Sequence, residues 1–577
     1  MEQTKKSIDS LILSYDQTLG QALALMNRQD PGVSELPGGI VLVVDETGKL
    51  VGIATDGDIR RALGRGATSD EPLKSVMNPQ PFTVRGREEP AALFEQVVAR
   101  MREGGWQKKH FEKIVVIDRD GRPIDIVWFH ELWLAADVRA KRVAVIGLGY
   151  VGLTLALTFA DLGFRVVGFD TNAELTALVR RKKAPFFEEG IEDLLTDHVG
   201  KRFSVLTSLD ERSLADVYII AVGTPLDREQ RPQLAHLKDA ANAVGRVLKR
   251  GDSVILRSTV PLGTTRDVVV PTLEKRSGLK AGEDFFVAFA PERTVEGQAL
   301  SELRSLPQVV GGINRASTNA AAAIFNLMTD TVIIVDTLEE AEMVKLVNNT
   351  YRDVTFAFAN EVSLICRRWG IDTQRVISAA NTGYPRSMVP RPSPGVGGYC
   401  LEKDPFLYIA SAHAREYTPL LARDARETNV AILTVVADEI RAFLRARRKA
   451  RGRGALRVGV LGLAFKGEPP TSDMRGSPTL ELVALLRKER GVTIVGYDPV
   501  VARPEIAALG IEVARTSAEV FRDADAVIVM TNHRALRSLP IRKLLALSRA
   551  GVLLFDPWAL YQRDEVMKVV GVDYRML

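Results

Sequence analysis

The chain has 577 residues, of which 46% are hydrophobic and 26% charged, and its formal net charge is +5. At roughly 100 to 200 residues per domain, an ordinary globular chain of this length is expected to form three to five domains. Its two cysteines, Cys366 and Cys400, exclude a disulfide framework and lack zinc-site spacing, so no metal site is expected. No signal peptide is recognisable and no apolar run reaches the roughly 18 residues of a membrane span, which predicts a cytoplasmic protein.

Residues 1–138 repeat a pattern of helix, strand and turn, first in "GGIVLVVDETGKLVGIATDGDIRRALGRG" and more weakly in "EKIVVIDRDGRPIDIVWFHELW". This α+β unit resembles a pair of CBS modules, small regulatory repeats that bind adenine nucleotides. The resemblance implies that Gly52, Thr55 and Asp58 contact phosphate and ribose at a helix start, where free N–H groups favour anions. The second copy differs at these positions, so at most one site is expected. The alternative is a ligand-free packing or assembly module.

Residues 139–337 alternate strand-like apolar runs with helical stretches, which predicts a parallel sheet of the nucleotide-binding type. The run "VAVIGLGYVGLTLALTFADLGFRVVGFD" places Gly147, Gly149 and Gly152 in a GxGxxG turn between strand and helix. These glycines suit a tight turn, approach of a pyrophosphate and helix–strand packing, respectively. Asp170 ends the second strand, where its carboxylate can accept hydrogen bonds from a ribose 2′-hydroxyl and repel a 2′-phosphate. NAD is therefore predicted rather than NADP.

Residues 338–440 are predicted to be mostly helical, with one long helix from Glu339 to Trp369. Lys345 and Asn349 lie four residues apart on it and project together. Poor helix formers at 348–350 are typical of a functional site, although a solvated polar stripe is the alternative. Cys366 is interpreted as a core thiol. Apolar residues recur at helical spacing and predict one buried face: Val344, Val347, Tyr351, Val354 and Phe358.

Residues 441–577 repeat the strand pattern of the first nucleotide fold, with "RVGVLGLA" answering "RVAVIGLG" and "TIVGYDP" answering "RVVGFD". The run "RARRKARGRGALR" at the junction has seven positive charges, and we interpret it as a solvated linker at a helix end rather than a nucleic-acid site. Phe465 and Lys466 replace the third glycine of the fingerprint. Lys466 and Arg475 suit a different phosphorylated ligand, although a domain that only supports a dimer is the alternative.

Seven motifs follow one another over residues 140–577: "GLGYVGL", "AVGTP", "STVPLGTT", "APERTVEG", "EMVKLVNNTYR", "GVGGYCLEKDP" and "GLAFKGEPPTSDMRGSP". Together they resemble the nucleotide-sugar 6-dehydrogenases, which include UDP-glucose, GDP-mannose and UDP-N-acetylhexosamine dehydrogenases. The resemblance implies an α/β protein in which two Rossmann-like domains flank a helical dimerisation domain. It also implies oxidation of a sugar C6 alcohol to a carboxylate with two NAD+, through an enzyme-bound thioester, by a homodimer or higher homo-oligomer.

By the same resemblance, Cys400 is the nucleophile, Lys345 stabilises the oxyanion and Asn349 orients the sugar oxygen. Glu292 and Asp404 handle water and protons in thioester hydrolysis, and Thr259 orders water. Lys345 beside the thiol is expected to favour the thiolate, and glycines at 397 and 398 to let the backbone approach cofactor and sugar. The expected cofactor contacts are Gly147, Gly149, Tyr150, Val151, Gly152, Asp170, Thr224 and Thr259. The expected substrate contacts are Lys345, Asn349, Gly398, Lys466 and Arg475.

Details of the motifs bear on the substrate. "GVGG" and "APERTVEG" favour a UDP-N-acetylhexosamine, "KDP" resembles the glucose type, and Tyr399 stands where histidine or serine is usual. UDP-glucose and GDP-mannose are the alternative substrates. Two other functions are considered: a two-electron hydroxyacid-type dehydrogenase with a structural Cys400, and an adenine-nucleotide sensor with an inactive dehydrogenase half.

Overall fold

The computed structural model describes residues 8–27, 39–86, 93, 96–97, 113–128, 140–209, 214–386, 388–452 and 454–577. It confirms the predicted α/β class, with two parallel-sheet domains, a helical region between them and an α+β unit at the N-terminus. The expected boundary between residues 138 and 139 lies outside the described residues. No described helix has the length and apolarity that crossing a bilayer requires.

The N-terminal unit consists of two small sheets with the same topology. In each, the first two strands are parallel and the last two antiparallel, with a register shift at the same place in the antiparallel pair. The predicted repeat is therefore visible in the backbone. The strands are β1 (Ile12–Ser14), β2 (Ile40–Val44), β3 (Leu50–Thr55), β4 (Thr83–Arg85), β5 (Lys113–Ile117) and β6 (Pro123–Trp128). The described helices are Leu19–Asn27 and Asp56–Leu63, with 3-10 turns at Ile8–Leu11 and Leu73–Ser75.

The first nucleotide fold is an eight-stranded sheet in the order β14-β13-β12-β11-β10-β7-β8-β9, parallel except between β12 and β13. Its first strand, β7, lies centrally between β8 and β10, which is the Rossmann switch point. The strands are β7 (Arg142–Ile146), β8 (Arg165–Phe169), β9 (Phe203–Leu206), β10 (Val217–Ile220), β11 (Ser253–Leu256), β12 (Phe286–Phe289), β13 (Gln308–Gly312) and β14 (Val332–Val335). The helices are Tyr150–Asp161, Ala173–Arg180, Ile191–His198, Ala235–Val247, Thr265–Val269 (a π-helical turn), Val270–Ser277, Ala299–Ser305 and Arg315–Phe325.

The second nucleotide fold is a six-stranded parallel sheet in the order β17-β16-β15-β18-β19-β20. This order repeats the order β9-β8-β7-β10-β11-β12 of the first fold. This identity of strand order confirms the predicted duplication. The strands are β15 (Leu456–Leu461), β16 (Val492–Tyr497), β17 (Glu512–Val513), β18 (Ala526–Val529), β19 (Leu553–Phe555) and β20 (Asp573–Arg575). The helices are Pro478–Leu486, Arg503–Ala508, Ser517–Phe521, Arg534–Arg537, Ile541–Leu545 and Arg563–Met567.

Four helices join the two folds: Leu338–Trp369, Thr373–Asn381, Tyr399–His413 and Leu420–Arg451. We call Leu338–Trp369 the central helix, Tyr399–His413 the thiol helix and Leu420–Arg451 the second long helix. Thr337 and Glu340 cap the central helix reciprocally, and Gly370 ends it with a positive φ, so its predicted extent is confirmed. The second long helix runs through the expected boundary at residues 440 and 441.

The central helix buries the opposite face from the one predicted. Glu342, Lys345, Asn349 and Asp353 are buried, whereas Tyr351 is 68% exposed. Val347 and Phe358 are exposed as well, while Val344 and Val354 are half-buried. The inward face is polar because its side chains have polar partners: Glu342, for example, accepts hydrogen bonds from the backbone N–H groups of Gly263 and Thr265 at 2.6 and 2.8 Å.

The basic run at the junction is not a solvated linker. Its first part continues the second long helix, and Arg447 and Arg451 donate to the fully buried carboxylate of Asp525 at 3.4 and 2.5 Å. Arg549 pairs with the same carboxylate at 2.9 Å. The charges therefore fasten the end of the helix to the second nucleotide fold, because a buried carboxylate needs such partners.

Candidate active site

A cavity of about 420 Å³ lies at the switch point of the first nucleotide fold, lined by Gly147, Gly149, Asp170 and Gly223 among others. Gly147 has φ +91°, and a Cβ there would lie 2.8 Å from the Ala221 carbonyl oxygen. Gly149 opens into free space and begins a helix that no side chain caps, which leaves N–H groups for a pyrophosphate. The cavity and its donors fit a dinucleotide.

Asp170 lies where the ribose contact was predicted. Its two carboxylate oxygens each accept one backbone N–H, from Leu148 at 2.7 Å and Asn172 at 2.8 Å. Each oxygen therefore keeps a lone pair that can face the cavity.

Five of the eight predicted cofactor residues do not line the cavity: Tyr150, Val151, Gly152, Thr224 and Thr259. A Cβ at Gly152 would lie 1.7 Å from the Gly147 carbonyl oxygen, so this glycine serves helix–strand packing as expected. The Tyr150 phenol donates to Glu188 and accepts from the Gly297 N–H at 2.5 Å, so its side chain contacts the "EEG" and "VEG" loops instead. Val151 follows it in the same helix.

Thr224 and Thr259 connect the cofactor fold to the thiol helix. The Thr224 hydroxyl donates to the Thr259 carbonyl oxygen at 2.6 Å, and Lys403 Nζ lies 3.3 Å from the same hydroxyl. In this geometry Thr259 presents its carbonyl, rather than its hydroxyl, to Thr224.

Cys400 lies in the first turn of the thiol helix. The preceding glycines face the second nucleotide fold. A Cβ at Gly397 would lie 2.0 Å from the Gly476 carbonyl oxygen, and one at Gly398 (φ +90°) would lie 2.4 Å from the Phe465 ring. The absence of side chains at these glycines lets the loop pack closely on the second fold, while the approach of their backbone to cofactor and sugar stays a prediction.

The surroundings of Cys400 raise the pKa of its thiol. The residue is exposed, yet surrounding protein desolvates its thiolate, and the negative charges of Asp404 and Glu296 raise the pKa further. Lys345 acts in the expected opposite direction but does not outweigh these effects. A thiol in this environment needs a proton acceptor before it can attack.

Asn349 and Asp404 are in direct contact. The Asn349 amide donates to Asp404 at 2.5 Å, and Lys403 donates to the other carboxylate oxygen at 2.7 Å. All three side chains are buried. Lys345 is buried on the same face of the central helix. Its positive charge acts to lower the pKa of both Cys400 and Glu292. The four polar side chains thus converge beside the thiol.

Glu292 is held as a carboxylate. Burial alone would raise its pKa, but the buried Arg257 guanidinium and the Thr294 N–H lower it below the ordinary range. Arg257 donates twice to one oxygen, at 3.0 and 2.8 Å, and the Thr294 N–H donates to the other at 2.8 Å. A carboxylate so stabilised is a weak base.

Lys466 and Arg475, the predicted phosphate contacts, lie at the junction of the two nucleotide folds. Lys466 donates to the Glu296 carbonyl oxygen at 2.7 Å, and burial lowers its pKa to about 8. Arg475 donates to Asp473 at 2.6 Å, and its guanidinium carbon lies 5.0 Å from the centre of the Tyr399 ring. A Cβ at Gly223 would lie 3.1 Å from the Tyr399 hydroxyl, so this side chain extends from the second fold to the cofactor fold.

In the second fold, the carboxylate that corresponds to Asp170 is not free to bind a ribose. Asp498, at the end of β16, corresponds to Asp170 and accepts from the Leu463 N–H at 2.7 Å. It also accepts from three further backbone N–H groups, at 2.8 to 3.1 Å, and is buried. All four lone-pair positions are then in use, and none remains for a ribose.

The predicted adenine-nucleotide residues of the N-terminal unit have structural tasks. Thr55 and Asp58 form a reciprocal capping box at the helix Asp56–Leu63, with Thr55 Oγ1 2.7 Å from Asp58 Oδ2. A Cβ at Gly52 would lie 2.8 Å from the Asn78 carbonyl oxygen. These contacts favour the ligand-free alternative, while nucleotide binding stays a prediction.

Sequence reasoning missed four buried charged residues of the site: Arg257, Glu296, Lys403 and Arg426. Lys403 adjoins the predicted Asp404, so its position in "EKDP" could have revealed it. Glu296 lies within the "APERTVEG" motif, whose sequence could have revealed it. Arg257 and Arg426 have no local signal, because their partners lie far away in the chain.

Family models match most of the chain. Models of the UDP-glucose/GDP-mannose dehydrogenase family match residues 141–329 (NAD binding domain), 339–431 (central domain) and 459–563 (UDP binding domain). A CBS domain model matches residues 6–65.

Curated relatives and solved structures agree with these matches. The chain is 35% identical over 401 residues to the UDP-N-acetyl-D-mannosamine dehydrogenase of Pyrococcus horikoshii, which covers 69% of this chain and 91% of the relative. It is 32% identical over 416 residues, 71% of this chain, to an NDP-N-acetyl-D-galactosaminuronic acid dehydrogenase of Ralstonia solanacearum, of which 95% is covered. The solved UDP-D-ManNAc dehydrogenase from Pyrococcus horikoshii superposes with a TM-score of 0.67 at 33% identity, covering 75% of this chain and 98% of that one. A UDP-glucose dehydrogenase from Pyrobaculum islandicum gives a TM-score of 0.65 at 28% identity, with 76% and 98% covered.

Proposed function

Because the chain belongs to the UDP-glucose/GDP-mannose dehydrogenase family of NAD-dependent enzymes, we propose that it oxidises the C6 alcohol of a UDP-N-acetylhexosamine to the uronate. The relatives that act on N-acetylated sugars support this choice of substrate over UDP-glucose and GDP-mannose. The observation that carries the chemistry is the convergence of Lys345, Asn349 and Asp404 beside Cys400, one helical turn from the contact between Lys403 and the cofactor fold.

The proposed mechanism has two oxidations. NAD+ bound at the first nucleotide fold would supply the hydride acceptor for both oxidations, one NAD+ for each. After the first, the Cys400 thiol adds to the aldehyde: its sulfur bonds to C6 and its proton passes to the aldehyde oxygen, which gives a thiohemiacetal. Lys345 stabilises the negative charge that develops on that oxygen, because a buried ammonium favours developing negative charge. After the second, the product is a thioester that water hydrolyses. Asn349, fixed by Asp404, orients the sugar oxygen.

Lys466 and Arg475 are proposed to bind the diphosphate, with Gly398 keeping the thiol loop against their domain. Both cations lie between the two folds, where a nucleotide sugar would meet the cofactor cavity. The low-dielectric surroundings of Lys466 strengthen its attraction for phosphate.

A panel of UDP-N-acetylmannosamine, UDP-N-acetylglucosamine, UDP-N-acetylgalactosamine, UDP-glucose and GDP-mannose with NAD+ tests this function. We expect an N-acetylated UDP-sugar to give the highest kcat/KM and two NADH per sugar consumed. One NADH per substrate would instead favour a two-electron dehydrogenase. Absence of turnover with every sugar would leave the adenine-nucleotide sensor, and preference for UDP-glucose or GDP-mannose would refute the choice of substrate.

We also propose that a second copy of the chain covers the exposed apolar stripe of the central helix. The stripe follows the helical period on the face opposite the site and comprises Val347, Tyr351, Phe358, Ile365 and Trp369. A contiguous apolar surface of this kind is typical of a subunit interface.

Glutamate at Tyr351 or Phe358 should weaken that dimer by about 30-fold or more each, because burying an unpaired charge at a central contact costs at least about 2 kcal/mol. Sedimentation velocity across a concentration series measures the effect. The matched control is Arg503→Glu, a charge change at an exposed position of the second fold. A wild-type chain that sediments as a monomer, or stripe variants that stay dimeric, would contradict the proposal.

A further inference from the structure

The Tyr399 side chain contacts both nucleotide folds, and the mechanism above gives it no task. The residue is half-buried at the start of the thiol helix, directly before Cys400. The guanidinium carbon of Arg475 lies 5.0 Å from the centre of its ring, and Lys403 Nζ lies 5.6 Å from the same point. The hydroxyl lies 3.1 Å from the position of a Cβ at Gly223, a residue that lines the cofactor cavity. The ring therefore lies where the two folds face each other.

The backbone holds Tyr399 and Arg475 side by side. The Gly398 N–H donates to the Gly476 carbonyl oxygen at 2.9 Å. This hydrogen bond joins the residue before Tyr399 to the residue after Arg475. The contact between ring and guanidinium is thus set by the path of both chain segments, and not only by the rotamers of two side chains.

The Arg475 guanidinium is fixed on two sides although its side chain is 60% exposed. An exposed arginine ordinarily samples many rotamers, and ordering it costs conformational entropy. Here Asp473 accepts from Nε at 3.0 Å and from Nη2 at 2.6 Å, which holds the edge of the guanidinium, while the Tyr399 ring supports its face. Within the described part of the chain, Nη1 donates no hydrogen bond. A planar, ordered guanidinium with a free N–H edge is suited to a phosphate.

The Tyr399 ring attracts this cation in its neutral form. Burial raises the pKa of the phenol, and the negative charges of Asp404 and Cys400 act in the same direction, while Arg475 acts in the opposite one. The negative face of a neutral aromatic ring attracts a guanidinium, and the attraction grows as water is excluded. A serine at this position offers no such face, and a histidine ring can itself become positive.

We propose that Tyr399 is a positioning residue for nucleotide-sugar binding, whose ring holds the Arg475 guanidinium in the orientation that receives the diphosphate. The inference rests on the proposed function, in which Arg475 binds that group. An arginine that is already ordered loses less entropy when the ligand arrives, so the ring strengthens binding. Because the diphosphate is common to all UDP-sugars, Tyr399 should affect their binding equally.

The test measures the Kd of UDP by isothermal titration calorimetry, and kcat and KM for UDP-N-acetylmannosamine and UDP-N-acetylglucosamine with saturating NAD+. Tyr399→Leu and Tyr399→Ser remove the ring in two different ways, so the result does not depend on the folding of one variant. In both, the UDP Kd and the two KM values should rise by the same factor of about 3- to 30-fold, with kcat within about threefold of the wild-type value.

Two controls separate this effect from a general loss of structure. Tyr399→Phe keeps the ring and should keep the wild-type UDP Kd and KM. Phe443→Leu removes a ring from a similar cation–π contact elsewhere, in which the Arg575 guanidinium carbon lies 5.6 Å from the ring centre. That variant should leave the UDP Kd and both KM values unchanged.

A double-mutant comparison tests whether Tyr399 acts through Arg475. In an Arg475→Met background, adding Tyr399→Leu should leave the UDP Kd unchanged, because no guanidinium remains to be held. Effects of the two changes that multiply would overturn the proposal. A fall in kcat with unchanged KM and UDP Kd would also overturn it, since Tyr399 would then serve only the thiol helix. KM changes that differ between the two sugars, with an unchanged UDP Kd, would make Tyr399 a sugar contact instead.

The wild type decides whether the proposed function itself stands. If it forms no NADH from any nucleotide sugar, the proposed function fails. NADH formation by the wild type, with one UDP Kd shared by the wild type and both ring-free variants, defeats only this inference.

Discussion

Replacing Cys400 by serine should abolish uronate formation, with a fall in rate on the order of 10⁴-fold or more, as is typical when a covalent nucleophile is lost. A serine hydroxyl in the same place, without a strong base, does not add to the aldehyde, so the second oxidation has no substrate. The remaining reaction should give at most one NADH per sugar and release aldehyde. Measuring NADH together with the uronate, the latter by mass spectrometry, gives the rate of uronate formation and the number of NADH per sugar.

The matched control is Cys366→Ala, which removes the other thiol from the buried side of the central helix. That variant should make the uronate with two NADH per sugar. Uronate production by Cys400→Ser above about one hundredth of the wild-type rate would contradict covalent catalysis and would favour the reading of Cys400 as a structural residue.

Replacing Arg426 by methionine should destabilise the central region by about 3–5 kcal/mol, the usual cost of leaving one partner of a buried ion pair alone. Arg426 lies in the second long helix and donates to Asp353 at 2.6 Å and to the Leu401 carbonyl oxygen at 3.1 Å. Arg426 therefore fixes the backbone of Leu401, the residue after Cys400, and also pairs with the carboxylate of Asp353. Hydrogen exchange of the central-helix amides, together with the thermal unfolding midpoint, measures the loss.

The destabilisation caused by Arg426→Met should become smaller as pH falls. Burial already raises the pKa of Asp353, and loss of the guanidinium raises it further. A folded-state pKa above the unfolded one means that ionisation opposes folding, so the destabilisation should shrink as pH falls through the folded pKa. Arg423→Met, which removes an exposed pair with Asp424 on the same helix, should change stability by less than about 1 kcal/mol. Equal losses in the two variants would contradict the role assigned to Arg426.

The duplicated fold and the central helix could be predicted because their signals are local. The GxGxxG turn, the strand-ending Asp170 and the capped run up to Trp369 each fit within a few turns of chain. The convergence of Lys345 and Asn349 was predicted for the same reason, since residues four apart on a helix share a face.

The features that the sequence did not reveal depend on distant partners. Periodicity indicates that Tyr351 and Phe358 share an apolar face, but it does not indicate what covers that face. Asp525 lies 74 residues from Arg451, so the sequence of the basic run alone does not reveal that its arginines have a buried partner. The pKa of the Cys400 thiol depends on desolvation by the surrounding protein, which outweighs the effect of Lys345.

The two acids at the ends of β8 and β16 show that the two copies of this fold differ in the lone pairs that they leave free for a ligand. Asp170 keeps lone pairs for a ligand, whereas Asp498 gives all of its lone pairs to its own backbone. In the second fold this carboxylate therefore belongs to the backbone hydrogen-bond network and is not available to a ligand. Engineering a second dinucleotide site into this half would require rebuilding the turn after β15 as well as restoring its glycines.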